Sequence, residues 1–260
     1  MTAGGELAPM REQVYSDQRP KEYFDRFHAY ARAHRPGFAY ELVRIPAALY
    51  VYTFFRARAV GSGNVPERGP VILAPNHFSF MDHFLLGAHL RRKVRFMGKS
   101  QLFRAPLAEV FMRGGVFPVR RGTRDEDAFT TAETILERGG LVGMYLEGGR
   151  SRTGELQRRA KPGIGRLVLE SGAPVVPVAI VGAQRIRNWK RGRFPSVTVE
   201  YGEPMSFPRE PDPGRLRQQE VADAIFTQLR LIYDRRVEAD NARRRDRGHA
   251  GHAAAQPADE

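Results

Sequence analysis

The sequence predicts an α/β fold, in which a mixed, largely parallel sheet is flanked by helices and preceded by an N-terminal amphipathic helical hairpin. Short apolar strand patterns alternate with helix patterns from Val71 onward, which is typical of a sheet covered by helices. Aromatic residues recur at helical spacing before that region. A length of 260 residues suits one such domain with helical additions better than two independent domains.

Residues 1 to about 20 are polar and predicted to be loose, and two helices follow them. The first helix carries aromatic residues at helical spacing, with charges between them: Tyr23, Phe24, Phe27 and Tyr30. Pro36 and Gly37 end it, and a second helix runs from Leu42 to about Ala57. Its apolar stretch, Ile45–Phe55, is shorter than the ~18 residues that a membrane span needs. Its basic flanks suit a helix lying in a membrane interface, and a core helix explains the pattern equally well.

A link rich in glycine and proline, residues 61–70, leads into the α/β region. The predicted strands are Val71–Ala74, Val94–Met97, Val116–Val119, Leu141–Leu146, Val175–Val181 and Ser196–Tyr201. The predicted helices are Asp82–Leu90, Arg104–Met112, Asp125–Glu137, Gly163–Glu170 and Arg215 to about Glu238. The helix from Asp125 has the strongest pattern, because acids fill its first turn and its apolar residues share one face.

The last helix carries an apolar stripe suited to packing on the sheet, and it is predicted to end near Glu238. Beyond Ala239 the apolar periodicity is lost, which predicts disorder. The chain therefore divides into an N-terminal helical membrane-association segment (1–58), an α/β domain (59–240) and a disordered basic tail (241–260).

The composition excludes several kinds of chemistry. No cysteine is present, so disulfides, thiolate zinc sites and a cysteine nucleophile are excluded. A formal net charge of +13 implies an anionic partner, which nucleic acid, a membrane surface or a phosphorylated substrate would supply. Much of this charge is clustered between Arg91 and Arg124. The first residues lack the apolar core that a signal peptide needs.

The stretch Val71–Phe84, VILAPNHFSFMDHF, places a buried-strand pattern, a turn and a helix start in succession. His77 follows the strand, and Asp82 stands where an acid is favoured as a helix cap. The same carboxylate is suited to orient the imidazole. A loop histidine beside a capping acid is the alternative, because a His-x4-Asp pair arises by chance about three times in ten in such a chain.

Three further predicted strands are followed by glycine and a cation. They contribute Lys99 in GKS, Arg120 in GGVFPVRRG and Arg150 in LEGGRSRTGE. Ligands of open α/β sheets bind at the carboxyl ends of strands, and a guanidinium group fits phosphate with two parallel hydrogen bonds. Arg120 and Arg150 are therefore predicted to bind phosphate, whereas a solvated surface position suits Arg121.

Glu147 stands at the end of the apolar strand that precedes Arg150. An isolated carboxylate is costly to bury, so Glu147 is predicted to pair with Arg150 or to accept hydrogen bonds from the turn amides of Gly148 and Gly149. Its predicted role is to fix the turn that aims Arg150.

Four motifs, NHFSFMD, GGVFPVR, EGGRSRTGE and VVPVAI, occur in the order and approximate spacing of the glycerolipid acyltransferase superfamily. Within it, the chain most resembles the bacterial 1-acyl-sn-glycerol-3-phosphate acyltransferases. The resemblance covers roughly residues 61–201. It departs from the family at Leu146, where proline is usual, and at Gly149, where threonine is usual.

This resemblance implies a role for each motif residue. His77 would be the general base and Asp82 its orienting partner, while Lys99 matches a lysine near the reacting carbonyl. Pro177 belongs to the fourth block. The implied substrate-binding residues, including those that meet the acceptor's phosphate, are Lys99, Gly114, Phe117, Arg120, Glu147, Gly148 and Arg150.

The implied reaction moves a fatty acyl group from acyl-CoA or acyl-carrier protein to the sn-2 hydroxyl of 1-acyl-glycerol-3-phosphate, giving phosphatidate. The acceptor's own hydroxyl is the nucleophile, which agrees with a sequence that has neither a cysteine nor a G-x-S-x-G elbow. No metal and no bound cofactor are expected, since the acyl donor is a substrate. The implied location is the cytoplasmic face of the cell membrane, with peripheral attachment to an anionic surface.

Alternatives remain in the acceptor and in the class of protein. Another lysophospholipid or a glycolipid acceptor would explain the altered third block. A basic nucleic-acid-binding module, or a non-catalytic membrane-binding protein, would explain the positive charge. The cations follow glycine turns after strands instead of lining one helix or a recognisable nucleic-acid motif, so no nucleic-acid partner is predicted.

Overall fold

The computed structural model describes residues 17–121, 125–192 and 194–253. Its helices are α1 (Asp25–Ala33), α2 (Phe38–Phe55), α3 (Asp82–Ala88), α4 (Leu107–Arg113), α5 (Glu126–Glu137), α6 (Gly163–Ser171) and α7 (Arg215–Ala253). Its strands are β1 (Arg58–Val60), β2 (Val71–Pro75), β3 (Val94–Lys99), β4 (Val116–Val119), β5 (Leu141–Gly143), β6 (Val175–Val181) and β7 (Thr198–Tyr201). Short 3₁₀ helices cover Lys21–Phe24, Ser62–Asn64, Ser100–Leu102 and Ala183–Arg191.

The seven strands form one sheet in the order β1-β7-β6-β2-β5-β3-β4. Neighbouring strands are parallel except for β6 and β7, which pair antiparallel. The prediction of a mixed, largely parallel sheet flanked by helices is confirmed. Strand β2 lies between β5 and β6 and is buried along its whole length, because helices cover both faces of the sheet.

Alternate residues of β2 enter two hydrophobic cores on opposite faces of the sheet, as the twofold side-chain period of a strand requires. Ile72 packs in the core that contains Leu167 of α6 and the apolar stripe of α7. Leu73 packs in the other core, with Val51 of α2 and Leu85 of α3. The two cores fix β2, and therefore the loop that follows it, from both sides.

The two N-terminal helices are present, but each packs on a different part of the α/β layers. Helix α1 lies against α5 and β4, whereas α2 lies along α3. Phe27 of α1 and Val51 of α2 are buried in these contacts. Helix α2 begins at Phe38, one turn before the predicted Leu42.

The structure corrects several predicted element boundaries. Strand β1 was missed, because three residues at a sheet edge give no recognisable pattern. Strand β5 ends at Gly143 instead of Leu146, although the Leu146 N–H still donates to the Pro75 carbonyl at 3.1 Å. Helix α4 begins at Leu107 instead of Arg104, since Pro106 favours the first position of a helix or the residue before it.

The last helix extends well beyond its predicted end. Helix α7 continues through Ala253, so the predicted end near Glu238 is wrong, and residues 241–253 are helical where disorder was predicted. Alanine and arginine have high helix propensity, and no proline interrupts the segment before Pro257. Residues 254–260, and residues 1–16 of the segment predicted to be loose, lie outside the described residues.

The carboxyl ends of β2, β3, β4, β5 and β6 lie at one edge of the sheet, because these strands run parallel to one another. Lys99 ends β3 at this edge, and the loops that leave it carry His77, Arg121, Arg150 and the 3₁₀ helix Ala183–Arg191. Open α/β sheets bind their ligands at such an edge. The topology therefore brings the separate sequence motifs to one place.

Candidate active site

A buried carboxylate organises the loop after β2. The Nδ1 atom of His77 lies 2.8 Å from Oδ2 of Asp82, and the same oxygen accepts the backbone N–H groups of Phe78 at 2.7 Å and Ser79 at 2.8 Å. Asp82 is fully buried at the first position of α3, where the helix dipole favours a negative charge. One carboxylate thus fixes both the backbone of the loop and the imidazole.

Two further contacts hold this loop to neighbouring elements. The buried Asn76 side chain donates to the Ile180 carbonyl at 3.0 Å and accepts the Ile180 N–H at 2.7 Å, which ties the loop to β6. The carbonyl of His77 accepts the Ser151 N–H at 2.8 Å. His77 is therefore joined directly to the EGGRSRTGE loop that carries Arg150.

Aromatic rings confine the imidazole of His77. The Tyr145 ring stacks on it with centroids 3.8 Å apart, and the His83 ring meets it edge-on at 5.3 Å. Phe96 contacts His83 from the other side at 4.9 Å. His77 is only 6% exposed, so its imidazole has little freedom to rotate away from Asp82.

Burial and nearby cations keep His77 neutral. Burial lowers the pKa of His77 well below its ordinary value, and the positive charges of Arg150, Arg121 and Lys99 lower it further. With Nδ1 donating to Asp82, Nε2 is left as the proton acceptor. Burial raises the pKa of Asp82 to about 7, against the N–H groups of Ser79 and Phe78, which lower it. The pair is therefore suited to accept one proton at neutral pH.

A largely apolar cavity of about 210 Å³ opens beside His77. Helices α2, α3 and α4 and strands β3 and β4 supply most of its walls. Its lining residues include Tyr40, Val43, Ala47, Phe80, Phe84, Gly87, Phe96, Met97, Leu102, Val110, Phe111 and Val116. Lys99, Arg121 and Arg150 also line it and act together on the His77 pKa. One cavity therefore brings together apolar walls, a neutral imidazole and three cations.

The structure brings some of the predicted site residues to this cavity and places others behind it. His77, Lys99, Gly114 and Arg150 line it. The other five lie outside its lining: Asp82 is buried against His77, Phe117 is buried in the core, Arg120 lies in the turn after β4, and Glu147 and Gly148 form the turn before Arg150. Gly148 has a φ of +65°, and a Cβ there would lie 3.1 Å from Cγ of Lys161, so glycine is the residue that fits this turn.

Arg121, for which sequence analysis favoured a solvated position, lines the cavity, whereas Arg120 does not. The Arg120 N–H donates to Oδ2 of Asp125 at 2.6 Å, in the turn after β4. Strand alternation would place residue 120 on the same side as Val116, which faces the cavity. The turn held by Asp125 breaks that alternation, and no feature of the local sequence signals this.

Glu147 does not make either of the two predicted contacts in the structure. Its Oε1 accepts the Gln157 N–H at 3.4 Å, and its Oε2 has no hydrogen-bond partner among the described residues. Burial raises the pKa of Glu147 to about 8, although the backbone N–H groups of Gln157 and His77 act in the opposite direction. The side chain is consequently protonated at neutral pH, and it contacts the backbone at Gln157 and His77.

Comparison with known proteins identifies relatives of this chain. Residues 56–181 match the family model described as Acyltransferase, and the predicted site residues all fall within that range. The 1-acyl-sn-glycerol-3-phosphate acyltransferase BAT2 of Brassica napus chloroplasts is 28% identical over 167 residues, which are 63% of this chain and 46% of that protein. The 1-acyl-sn-glycerol-3-phosphate acyltransferase of Borreliella burgdorferi is 28% identical over 123 residues, 46% of this chain and 49% of that protein. The chain thus spans about half the length of these relatives.

The fold is similar to the crystal structure of the 1-acyl-sn-glycerophosphate (LPA) acyltransferase PlsC from Thermotoga maritima. The TM-score is 0.53 at 21% sequence identity, with 81% of this chain and 88% of that chain covered. Together with the family model and the curated relatives, this match confirms the resemblance that the four motifs indicated.

The protonated state of Glu147 predicts how stability depends on pH. Between its ordinary pKa of 4.5 and its folded pKa of about 8, the folded chain holds a proton that the unfolded chain releases. Glu147 therefore lowers the free energy of unfolding as pH rises from 5 to 8, by on the order of 2 kcal/mol. Glu147→Gln removes this contribution, and chemical unfolding of both proteins at pH 5 and pH 8 measures it. Glu155→Gln, at an exposed carboxyl in the same loop, is the control, and an unchanged pH dependence in Glu147→Gln would refute the assignment.

Proposed function

Since the chain carries an acyltransferase-family domain over residues 56–181, we propose that it transfers a fatty acyl group to the sn-2 hydroxyl of 1-acyl-glycerol-3-phosphate and so forms phosphatidate. The acyl donor is acyl-CoA or acyl-carrier protein. The observation that carries the proposal is the neutral His77 between an apolar cavity and three cations, Lys99, Arg121 and Arg150. A lysophosphatidate has the matching parts, an acyl chain, a hydroxyl and a phosphate.

His77 acts as the general base. Its Nε2 removes the proton from the acceptor hydroxyl while the oxygen attacks the thioester carbonyl carbon. The new C–O bond forms, the C–S bond breaks, and the proton passes from Nε2 to the departing thiolate. Asp82 holds the imidazole in the required tautomer and stabilises the imidazolium that forms transiently, as the acid does in a catalytic triad. The enzyme needs no nucleophile of its own.

The three cations divide two tasks between them. Arg121 and Arg150 bind the acceptor's phosphate, since a guanidinium group makes parallel hydrogen bonds to two phosphate oxygens. Lys99 is the last residue of β3 and contacts the phosphate or the oxyanion of the tetrahedral intermediate, where one donor is often worth about 3 kcal/mol. The same three charges lower the pKa of His77, so the groups that bind the anion also help to keep the base neutral.

The apolar cavity holds an acyl chain. Its walls include residues of α2, α3 and α4, so the acyl chain lies against these three helices. Gly87 of α3 faces Tyr40 of α2, where a Cβ would lie 3.3 Å from the tyrosine hydroxyl. The close approach of these two helices limits the cavity on that side.

Attachment to a membrane surface follows from the exposed face of α2. Phe38, Leu42, Ile45 and Leu49 recur at helical spacing and are 60–76% exposed, while the opposite face buries Val51. Leu107 and Val110 of α4, beside the cavity, are also more than half exposed. Within the described part of the chain, no helix combines the length and the apolar character needed to cross a membrane. We therefore propose peripheral attachment through this face, at the cytoplasmic side of the cell membrane.

A different acceptor is the second candidate, and the altered third motif favours it. Leu146 and Gly149 stand where the family usually has proline and threonine, next to Arg150. Another lysophospholipid or a glycolipid would use the same base and the same acyl chamber. Purified protein assayed with lysophosphatidate in competition with each of these acceptors distinguishes the two candidates.

His77 and Asp82 are tested by substitution. His77→Ala is expected to lower kcat by about 10³-fold, because the acceptor hydroxyl loses its base, and Asp82→Asn by about 10²-fold, because the imidazole loses its orientation. Acyl transfer to lysophosphatidate by purified protein measures both. His34→Ala, at an exposed histidine of the N-terminal segment, is the control. Near-normal turnover by a correctly folded His77→Ala variant would show the mechanism to be wrong.

The phosphate contacts are tested by comparing adjacent arginines. Arg121→Ala and Arg150→Ala are expected to raise the KM for lysophosphatidate by about 10- to 100-fold, because a charged hydrogen bond to phosphate is lost. Turnover of an unphosphorylated monoacylglycerol should change little. Arg120→Ala is the matched variant, and its effect should be several-fold smaller. A larger effect at Arg120 than at Arg121 would restore the assignment made from the sequence.

Membrane attachment is tested on the exposed face of α2. The triple variant Leu42→Ser, Ile45→Ser and Leu49→Ser is expected to weaken binding to anionic phospholipid vesicles by at least about 10-fold, because each change removes apolar area from the lipid contact. Vesicle co-sedimentation measures it. Leu216→Ser with Leu231→Ser, at exposed leucines of α7, is the control. Equal vesicle binding by the triple variant and wild type would remove α2 from the attachment surface.

A further inference from the structure

A second cavity, of about 520 Å³, includes the end of the EGGRSRTGE loop in its walls and shares no lining residue with the apolar cavity. Its walls come from residues 154–158, the end of β6, the 3₁₀ helix Ala183–Arg191 and α7. We call it the polar cleft. None of the roles proposed above uses it, although Tyr233 in its wall contacts Phe78, the residue next to His77, with ring centroids 5.9 Å apart.

Arginines surround the polar cleft and continue toward His77. Arg158, Arg185 and Arg230 line the cleft, and Arg152 lies exposed in the same loop. Trp189 stands 46% exposed on the 3₁₀ helix, whose sequence AQRIRNWKR contains no acid. We call these five residues the arginine rim. Arginine and tryptophan are the residue types most enriched at the energetic centres of protein interfaces.

The arginine rim is connected to the base through a short series of hydrogen bonds. Arg187 of the 3₁₀ helix donates to the carbonyl of Arg152 at 2.6 Å and to the carbonyl of Ser151. The Ser151 N–H donates in turn to the His77 carbonyl. The charge of Arg150 also lowers the pKa of Arg187, after the larger effect of burial, so these two cations lie close together. A partner bound on the rim is therefore held next to the reacting centre.

We propose that the arginine rim is the docking surface for an acidic carrier protein that presents the acyl group as a thioester. This inference rests on the proposed acyl transfer and concerns the choice of donor. The carrier's negative face would meet the rim, and its extended phosphopantetheine arm would pass over the EGGRSRTGE loop to place the thioester carbonyl at His77. The bonds made and broken are those of the acyl transfer already described.

The charge distribution favours a protein partner over a nucleotide-bearing donor. The polar cleft carries three acids, Glu155, Asp234 and Asp240, beside its three arginines, so it provides no net positive pocket for the phosphates of coenzyme A. With Arg152 outside the cleft, the four arginines of the rim outnumber these three acids, and they come from three separate segments, which suits a broad acidic surface better than a phosphate pocket. The rim exposes one large apolar side chain, Trp189, where the membrane-facing side of α2 exposes four. Lipid is therefore the weaker candidate for this surface.

The test compares two donors that carry the same acyl chain. The double variant Arg158→Glu and Arg185→Glu is expected to raise the KM for palmitoyl-carrier protein by about 10-fold or more, because charge reversal repels the acidic partner. The KM for palmitoyl-CoA should change by less than about 2-fold, which also shows that the variant is folded. Trp189→Ala should act in the same direction, more weakly. Arg68→Glu, at an exposed arginine before β2 on the opposite edge of the sheet, is the control.

Several results would overturn the inference. Equal changes with both donors, or no change with either, would show that the rim does not recognise a carrier protein. Loss of anionic vesicle binding in the double variant, with carrier binding intact, would assign the rim to the membrane. Direct binding of purified carrier protein to wild type and variant does not require turnover. If neither donor supports transfer, the proposed function fails, and this binding measurement still decides whether the rim is a carrier-docking surface.

Discussion

The site depends on Asp82, a buried carboxylate at the first position of a helix. One of its oxygens accepts two backbone N–H groups and lies 2.8 Å from the His77 imidazole. Desolvation makes such a group costly, and three donors on one oxygen compensate for that cost. Because the same oxygen fixes both the loop and the ring, replacing Asp82 disturbs both. Asn76 and Ser151 then attach the loop to two neighbouring parts of the sheet edge.

Positive charge serves two purposes around His77. Lys99, Arg121 and Arg150 favour an anionic substrate at the rim of the cavity, and the same charges oppose protonation of the imidazole. In the proposed mechanism the base is therefore neutral before the anion binds, and a bound phosphate would offset part of this charge and raise the pKa of His77 when the acceptor is in place. In the proposed mechanism, the same cations thus attract the substrate and keep His77 neutral.

Helix α2 contributes to two apolar surfaces. Tyr40, Val43 and Ala47 line the cavity beside His77, whereas Phe38 and Leu42 belong to the exposed face. A helix with apolar residues around much of its circumference shows little amphipathic contrast, which is why its sequence suited an interfacial helix and a core helix equally. In the structure one side of α2 lines the cavity and packs in the core, and another side exposes apolar residues. An acyl chain in the cavity would lie directly beneath the surface that faces lipid in the proposed arrangement.

The sequence by itself determined the largely parallel sheet and its principal strands. It also singled out His77, Asp82, Lys99 and Arg150 as candidate site residues, because strand patterns and glycine turns are local signals. Tertiary structure decided which cation faces the cavity and what Glu147 contacts. Arg121 lines the cavity and Arg120 does not, because Asp125 holds a turn that breaks strand alternation. Glu147 meets Gln157, ten residues away, and the arginine rim joins residues from three separate segments. Such contacts depend on how distant segments pack, so no local pattern in the chain records them.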